Sequence, residues 1–70
     1  MQGIISVVVR QKMRARRWTQ QELAHRSGVD AKQISRLLSN RTDWWLRDMR
    51  LVSKAFDLPI EALILEEVAA

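Results

Sequence analysis

Two helix start signals, separated by one helix stop signal, constrain this chain more than any other feature. Residues 19–22 read TQQE, which fits a capping box: the Thr19 hydroxyl can accept from a backbone N–H three residues later. Gly28 follows at the distance of a short helix, and glycine ends helices readily because it adopts the left-handed conformation without strain. Asp30 is a second cap. The sequence therefore predicts two short helices, from Gln20 and from Ala31, joined by a tight turn at Gly28.

Helices are also predicted on both sides of this pair. Apolar residues at helical spacing predict a first helix that ends near Arg17, although the β-branched run in residues 4–9 leaves a strand or an N-terminal arm as the alternative. Pro59 suits the first position of a fifth helix, which is expected to continue through Glu66 and Glu67.

The fourth predicted helix contains two adjacent tryptophans. Its core positions are expected at four spaced residues: Trp45, Met49, Val52 and Phe56. Adjacent helical residues face about 100° apart, so only one tryptophan can point into the same core. We therefore expect Trp45 inside and Trp44 at the surface, where it either covers the hinge or contacts a partner.

Composition excludes several classes of protein. With 70 residues the chain is expected to form one domain over positions 1–70. It has no cysteine and only one histidine, His25, so neither a catalytic set nor a metal site can be assembled. We expect no enzyme activity and no cofactor. No apolar run is long enough to span a membrane and no signal peptide is recognisable, so a cytoplasmic protein, without membrane contact, is expected.

Charge is distributed unevenly along the chain. Residues 1–41 contain nine Lys/Arg and two acidic residues, whereas residues 42–70 contain three Lys/Arg and six acidic residues. This asymmetry predicts one side that faces a polyanion and one that faces away from it. A solvated basic helix is the alternative explanation.

The central segment resembles the Cro/phage-repressor (XRE) family of helix-turn-helix proteins. The likeness lies in TQQELA at 19–24, GV at 28–29 and ISRL at 34–37, and it extends over about residues 5–65. Many relatives have glycine at the position of Arg17, Asn-Gly at that of Ser39-Asn40, and an Arg–Glu pair at those of Met13 and Leu38. Met13 and Leu38 are both apolar, so we expect their side chains to pack together. The resemblance implies an all-α, five-helix compact bundle of the lambda-repressor-like DNA-binding type.

In this family the second helix of the motif lies in the major groove. The resemblance assigns base reading to four residues: Ala31, Lys32, Gln33 and Arg36. Gln33 has the alternative role of completing the cap below Asp30. Phosphate contacts are implied for Gln20, at a helix N-terminus, and for four further residues: Asn40, Arg41, Arg14 and Arg17. Arg16 is a further candidate beside Arg14 and Arg17.

The function expected from this resemblance is sequence-specific binding of double-stranded DNA, most simply by a small Cro-type repressor of phage or mobile-element origin, in a bacterial cell or a phage-infected host. A homodimer, at least on DNA, would match a pseudo-palindromic operator. The surface of the chain that contacts the second copy, or another partner, is expected at four apolar residues: Trp44, Leu63, Ile64 and Leu65. Two alternatives remain: a protein-interaction module with the same fold, and a last helix that serves only the core.

Overall fold

The structure of the chain, a computed structural model, describes residues 2–64. Four α-helices follow one another: α1 (Gln2–Arg16), α2 (Gln20–Ser27), α3 (Ala31–Leu38) and α4 (Leu46–Ala55). A 3-10 helix, Ile60–Leu63, closes the described part. These residues include no strand, and positions 4–9 are helical, which decides against a strand or an arm.

The prediction of five helices is therefore corrected to four α-helices and one 3-10 helix within residues 2–64. After Pro59 the backbone bonds span three residues: the Ala62 N–H donates to the Pro59 carbonyl, and the Ile64 N–H donates to the Glu61 carbonyl. That pattern defines a 3-10 helix rather than an α-helix. The remainder of the predicted fifth helix lies outside the described residues.

Helix α1 forms despite its valines because burial outweighs their low helix propensity. Val8 and Val9 are almost fully buried, whereas Val7 is half exposed. The same face of α1 contributes Ile5 and Met13 to the core. Met13 and Leu38 belong to one buried cluster, in agreement with their apolar character.

The start signals of α2 and α3 form as the sequence predicts. The Glu22 N–H donates to the Thr19 Oγ1 at 3.1 Å, but the Glu22 carboxylate accepts from Arg26 instead of returning to the cap. Gly28 has φ 79°, and its N–H donates to the Ala24 carbonyl. The side chain of Asp30 accepts from the Lys32 N–H at 3.0 Å. Helices α2 and α3 are thus joined at Gly28 by the turn that was expected.

The two tryptophans are interchanged relative to the prediction. Trp44 is 3% exposed and Trp45 is 68% exposed. Helix α4 begins only at Leu46, so both tryptophans precede it, and Trp45 has the extended backbone of an N-cap. The helical spacing on which the prediction depended therefore does not apply to them. The Asp48 carboxylate accepts from the Trp45 N–H and fixes this start.

A buried serine explains why Trp44 turns inward. The Trp44 Nε1–H donates to the Ser6 Oγ at 3.0 Å. The Ser6 hydroxyl in turn lies 2.9 Å from the Leu37 carbonyl and 2.7 Å from the Asn40 Oδ1, the two acceptors available to its one proton. Together with a bond from Arg10 to the Leu38 carbonyl, this network fixes the end of α3 against α1.

Candidate nucleic-acid interface

Helix α3 is strongly amphipathic. Its inner face consists of three buried residues, Ile34, Leu37 and Leu38. Its outer face consists of four exposed residues, Ala31, Lys32, Ser35 and Arg36, with Gln33 half buried between the two faces. The helix therefore presents a polar, cationic surface to solvent while its apolar side anchors it in the core.

The predicted base-reading side chains are free of internal partners. Within residues 2–64 the side chains of Lys32 and Arg36 make neither a hydrogen bond nor an ion pair. Gln33 also makes no side-chain hydrogen bond to a described residue. The Asp30 carboxylate accepts from the backbone N–H of Lys32. Hence Gln33 does not complete the cap, and its amide keeps its hydrogen-bonding groups available.

A shallow groove brings these residues together with α4. Its walls include Lys32, Gln33 and Arg36 of α3 and Arg47 of α4, and the turn around Gly28 forms one end. Arg47 was not predicted as a site residue, because it lies in the acidic half of the sequence and spacing along one helix does not show which groove an exposed residue lines. Three cations and two carboxylates, those of Asp30 and Asp48, line this concavity. Each carboxylate accepts a backbone N–H, and the remaining excess of positive charge attracts anions.

The predicted phosphate contacts are distributed around this groove rather than in it. Gln20 occupies the first position of α2, where free backbone N–H groups favour an anion. Arg14, Arg17 and Arg41 are exposed and have no side-chain partner in the part of the chain that the structure describes. Asn40 is exposed, but its Oδ1 lies against Ser6.

Two other arginines of the basic half serve the fold. The Arg16 Nη2 donates to the Phe56 carbonyl at 3.0 Å, and its guanidinium lies 5.0 Å from the centre of the Phe56 ring. Arg26 lies over Trp18, which itself stacks on Phe56. Arg16, considered above as a phosphate contact, is therefore held against its own protein. The charge asymmetry overstates the number of cations that are free for a ligand.

The predicted partner surface requires a correction. Trp44 and Leu63 are buried within the chain, and Ile64 is half buried against the core, while Leu65 lies outside the described residues. The large apolar side chains that are exposed near α4 are instead Trp45, Leu46 and Leu51. Sequence spacing missed Trp45 because it placed both tryptophans on α4 and assigned Trp45 to the core, and it gave no role to Leu46 or Leu51.

Two further properties concern the described residues as a whole. No helix in residues 2–64 has the length and apolar character needed to cross a membrane. No cluster of three or more potential metal-ligating side chains occurs among them.

Comparison with known proteins identifies one family. A family model described as helix-turn-helix matches residues 9–63, which is well over half of the chain and includes all of α2, α3 and α4. No curated protein and no solved structure matches the chain significantly.

Proposed function

Because the chain belongs to the Cro/C1-type (XRE) helix-turn-helix family, whose members are DNA-binding transcription regulators, we propose that it is a Cro-type repressor of phage or mobile-element origin. It acts in the cytoplasm of a bacterial cell or phage-infected host, where it occupies an operator and blocks polymerase. Two copies on a pseudo-palindromic site place their recognition helices about 34 Å apart.

One observation supports this proposal above the others. Lys32 and Arg36 project from an anchored helix into a groove that they share with Arg47, and neither has a partner among residues 2–64. Charges of one sign that line the same groove concentrate an anionic ligand there, and a helix is an element that fits the major groove. The recognition helix in this proposal is α3.

The chemistry of the outer face of α3 suits base edges. Arg36 and Lys32 donate to guanine O6 and N7, Gln33 pairs with adenine, and Ala31 offers an apolar contact to a thymine methyl. Gln33 is half buried, which fixes its amide more firmly than those of the exposed side chains.

Phosphate contacts position the recognition helix without specifying sequence. We assign them to Gln20 at the start of α2 and to four further residues: Arg14, Arg17, Asn40 and Arg41. Each neutralised phosphate adds about 0.9 to the slope of log affinity against log salt concentration.

The test is selection of bound duplexes from a random pool, followed by affinity measurements at two salt concentrations. Arg36→Ala should weaken binding to the selected duplex by about 5- to 150-fold, corresponding to one bidentate base contact of about 1–3 kcal/mol, and should relax specificity. Lys54→Ala is the matched control, because Lys54 is an exposed cation that lines a different groove, between α2 and α4. Equal affinity of the wild type for selected and random duplexes would overturn the proposal.

A second candidate is a protein-interaction module, such as a modulator of a repressor or an antitoxin-like partner. The exposed Trp45 and Leu46 favour it, since neither suits a phosphate. Under this function Trp45→Ala abolishes activity and Arg36→Ala does not, the reverse of the result expected for a repressor.

A further inference from the structure

Helix α4 and the residue before it expose a mixed apolar and cationic surface, here named the α4 patch. It consists of Trp45, Leu46, Arg47, Arg50 and Leu51, with exposed fractions of 68%, 53% and 36% for Trp45, Leu46 and Leu51. Residues four apart on a helix are neighbours, so Leu46 lies beside Arg50 and Arg47 beside Leu51. These four helical residues line one shallow groove.

This surface has no partner within the described chain. The guanidinium groups of Arg47 and Arg50 make no hydrogen bond or ion pair with residues 2–64. Isolated exposed apolar residues are ordinary, but a cluster bordered by charges marks an interaction site. The occupant must therefore offer apolar side chains and carboxylates together.

Two possible occupants fit poorly. DNA would bind the arginines, but its phosphates would leave Leu46 and Leu51 against a charged backbone. A second α4 patch packed on the first would bring Arg47 and Arg50 close to the same residues of the other copy, and like charges in contact cost several kcal/mol.

The chain itself contains a segment of the required chemistry. Directly after the described residues the sequence reads Leu65-Glu66-Glu67-Val68, in which one apolar residue on each side flanks two adjacent carboxylates. We propose that the α4 patch of one copy binds residues 65–68 of a second copy. The exchange is reciprocal, so a dimer closes with two identical contacts and leaves no open end.

This interface gives the homodimer of the proposed function its contact surface, but it does not depend on DNA recognition. Arg47 also lines the groove beside α3, whereas Arg50 lines the groove of the α4 patch and not the one beside α3. Arg50 is therefore the residue whose substitution tests assembly without altering the candidate DNA site.

The experiment is sedimentation equilibrium of the full chain, without DNA, across a concentration series. Arg50→Glu should raise the dissociation constant of the dimer by about tenfold or more, because one ion pair becomes a like-charge contact. Glu66→Arg and Glu67→Arg should each weaken the dimer in the same direction. Combining Arg50→Glu with one of the two glutamate variants should restore it.

Lys54→Glu is the control, since it makes the same change of charge on the next exposed cation of α4, which lines the groove between α2 and α4 instead of the patch. It should weaken the dimer much less than Arg50→Glu does. Thermal unfolding verifies that each variant is folded. A monomeric wild type, a dimer that is insensitive to Arg50→Glu, or a failure of both charge exchanges to restore association would overturn the inference.

The two proposals fail separately. If duplex selection enriches no sequence while the charge exchanges restore the dimer, the repressor function is wrong and the interface stands. If a specific duplex is selected while Arg50→Glu leaves association unchanged, the interface is wrong and the repressor function stands.

Discussion

The helix-turn-helix unit, residues 19–38, and the connection that follows it, residues 39–45, are stabilised in opposite ways. In the unit, each defining bond joins residues that are close in sequence, as between Thr19 and Glu22 or between Gly28 and Ala24. In the connection, Trp44 bonds to Ser6, 38 residues away. The first kind of contact is visible in a short stretch of sequence, and the second exists only after the chain has folded.

The largest expected effect separates the two tryptophans of the connection. Trp44→Ala should destabilise the protein by about 3–5 kcal/mol, because it removes a buried aromatic side chain and leaves a cavity. Trp45→Ala, the adjacent matched control, should change the free energy of unfolding by less than about 0.5 kcal/mol, since Trp45 is largely exposed. Chemical denaturation measures both. Equal costs would contradict the placement of the two rings.

Removing the distant partner of Trp44 should cost less. Ser6→Ala removes the acceptor of the 3.0 Å bond from the buried Trp44 Nε1–H, and we expect a loss of about 1–3 kcal/mol. Trp44→Phe removes the same donor. In a double-mutant cycle the two substitutions should together cost less than the sum of their separate costs. Additive costs would mean that the hydrogen bond contributes little to stability.

Within the locally determined unit, the turn is the sensitive point. Gly28→Ala should cost about 1–2 kcal/mol from the left-handed backbone alone, because an added Cβ would meet no atom within 4 Å. Gly28→Asn should cost less, since asparagine tolerates this conformation. Unfolding curves of the two variants provide the comparison. If asparagine costs as much as alanine, a steric cause must replace the conformational one.

The smallest expected effect is a gain in stability. Arg17 has φ 59°, and Arg17→Gly exchanges strain of about 1–2 kcal/mol for an entropy cost of about 0.5–1 kcal/mol, a net gain of roughly 0.5 kcal/mol. DNA affinity should fall in the same variant if Arg17 contacts a phosphate. Thermal unfolding and duplex binding are measured on one preparation, and a lower unfolding temperature would contradict the expectation.

These contrasts explain what the sequence can predict. The bounds of α2 and α3 follow from Thr19, Gly28 and Asp30, because caps act on residues at most four positions away. The same locality places Lys32 and Arg36 on one exposed face, since their helix must direct Ile34 and Leu37 inward.

The errors have a common physical origin. The helical spacing favours burial of Trp45, but α4 begins only at Leu46, and the ring that is buried is that of Trp44, which bonds to the Ser6 hydroxyl of α1. Arg47 joins the groove for a similar reason, because the packing of α3 and α4 on the same helix, α2, brings it there. Spacing along one helix contains no information about either contact.

Positive φ angles occur at two positions where the family resemblance places glycine. Arg17 and Asn40 both have left-handed backbones, and these are the positions at which many relatives have glycine. Both departures from the family pattern therefore occur where the backbone conformation is one that glycine adopts without strain.

Helices α2 and α3 have only eight residues each. Isolated helices shorter than about 12–15 residues are marginal in water, so neither persists without the remainder of the domain. A synthetic peptide of residues 31–38 would be an unordered coil with no preference among DNA sequences. Redesign of specificity must exchange outward side chains on the intact chain, because the shape that reads DNA belongs to the whole domain.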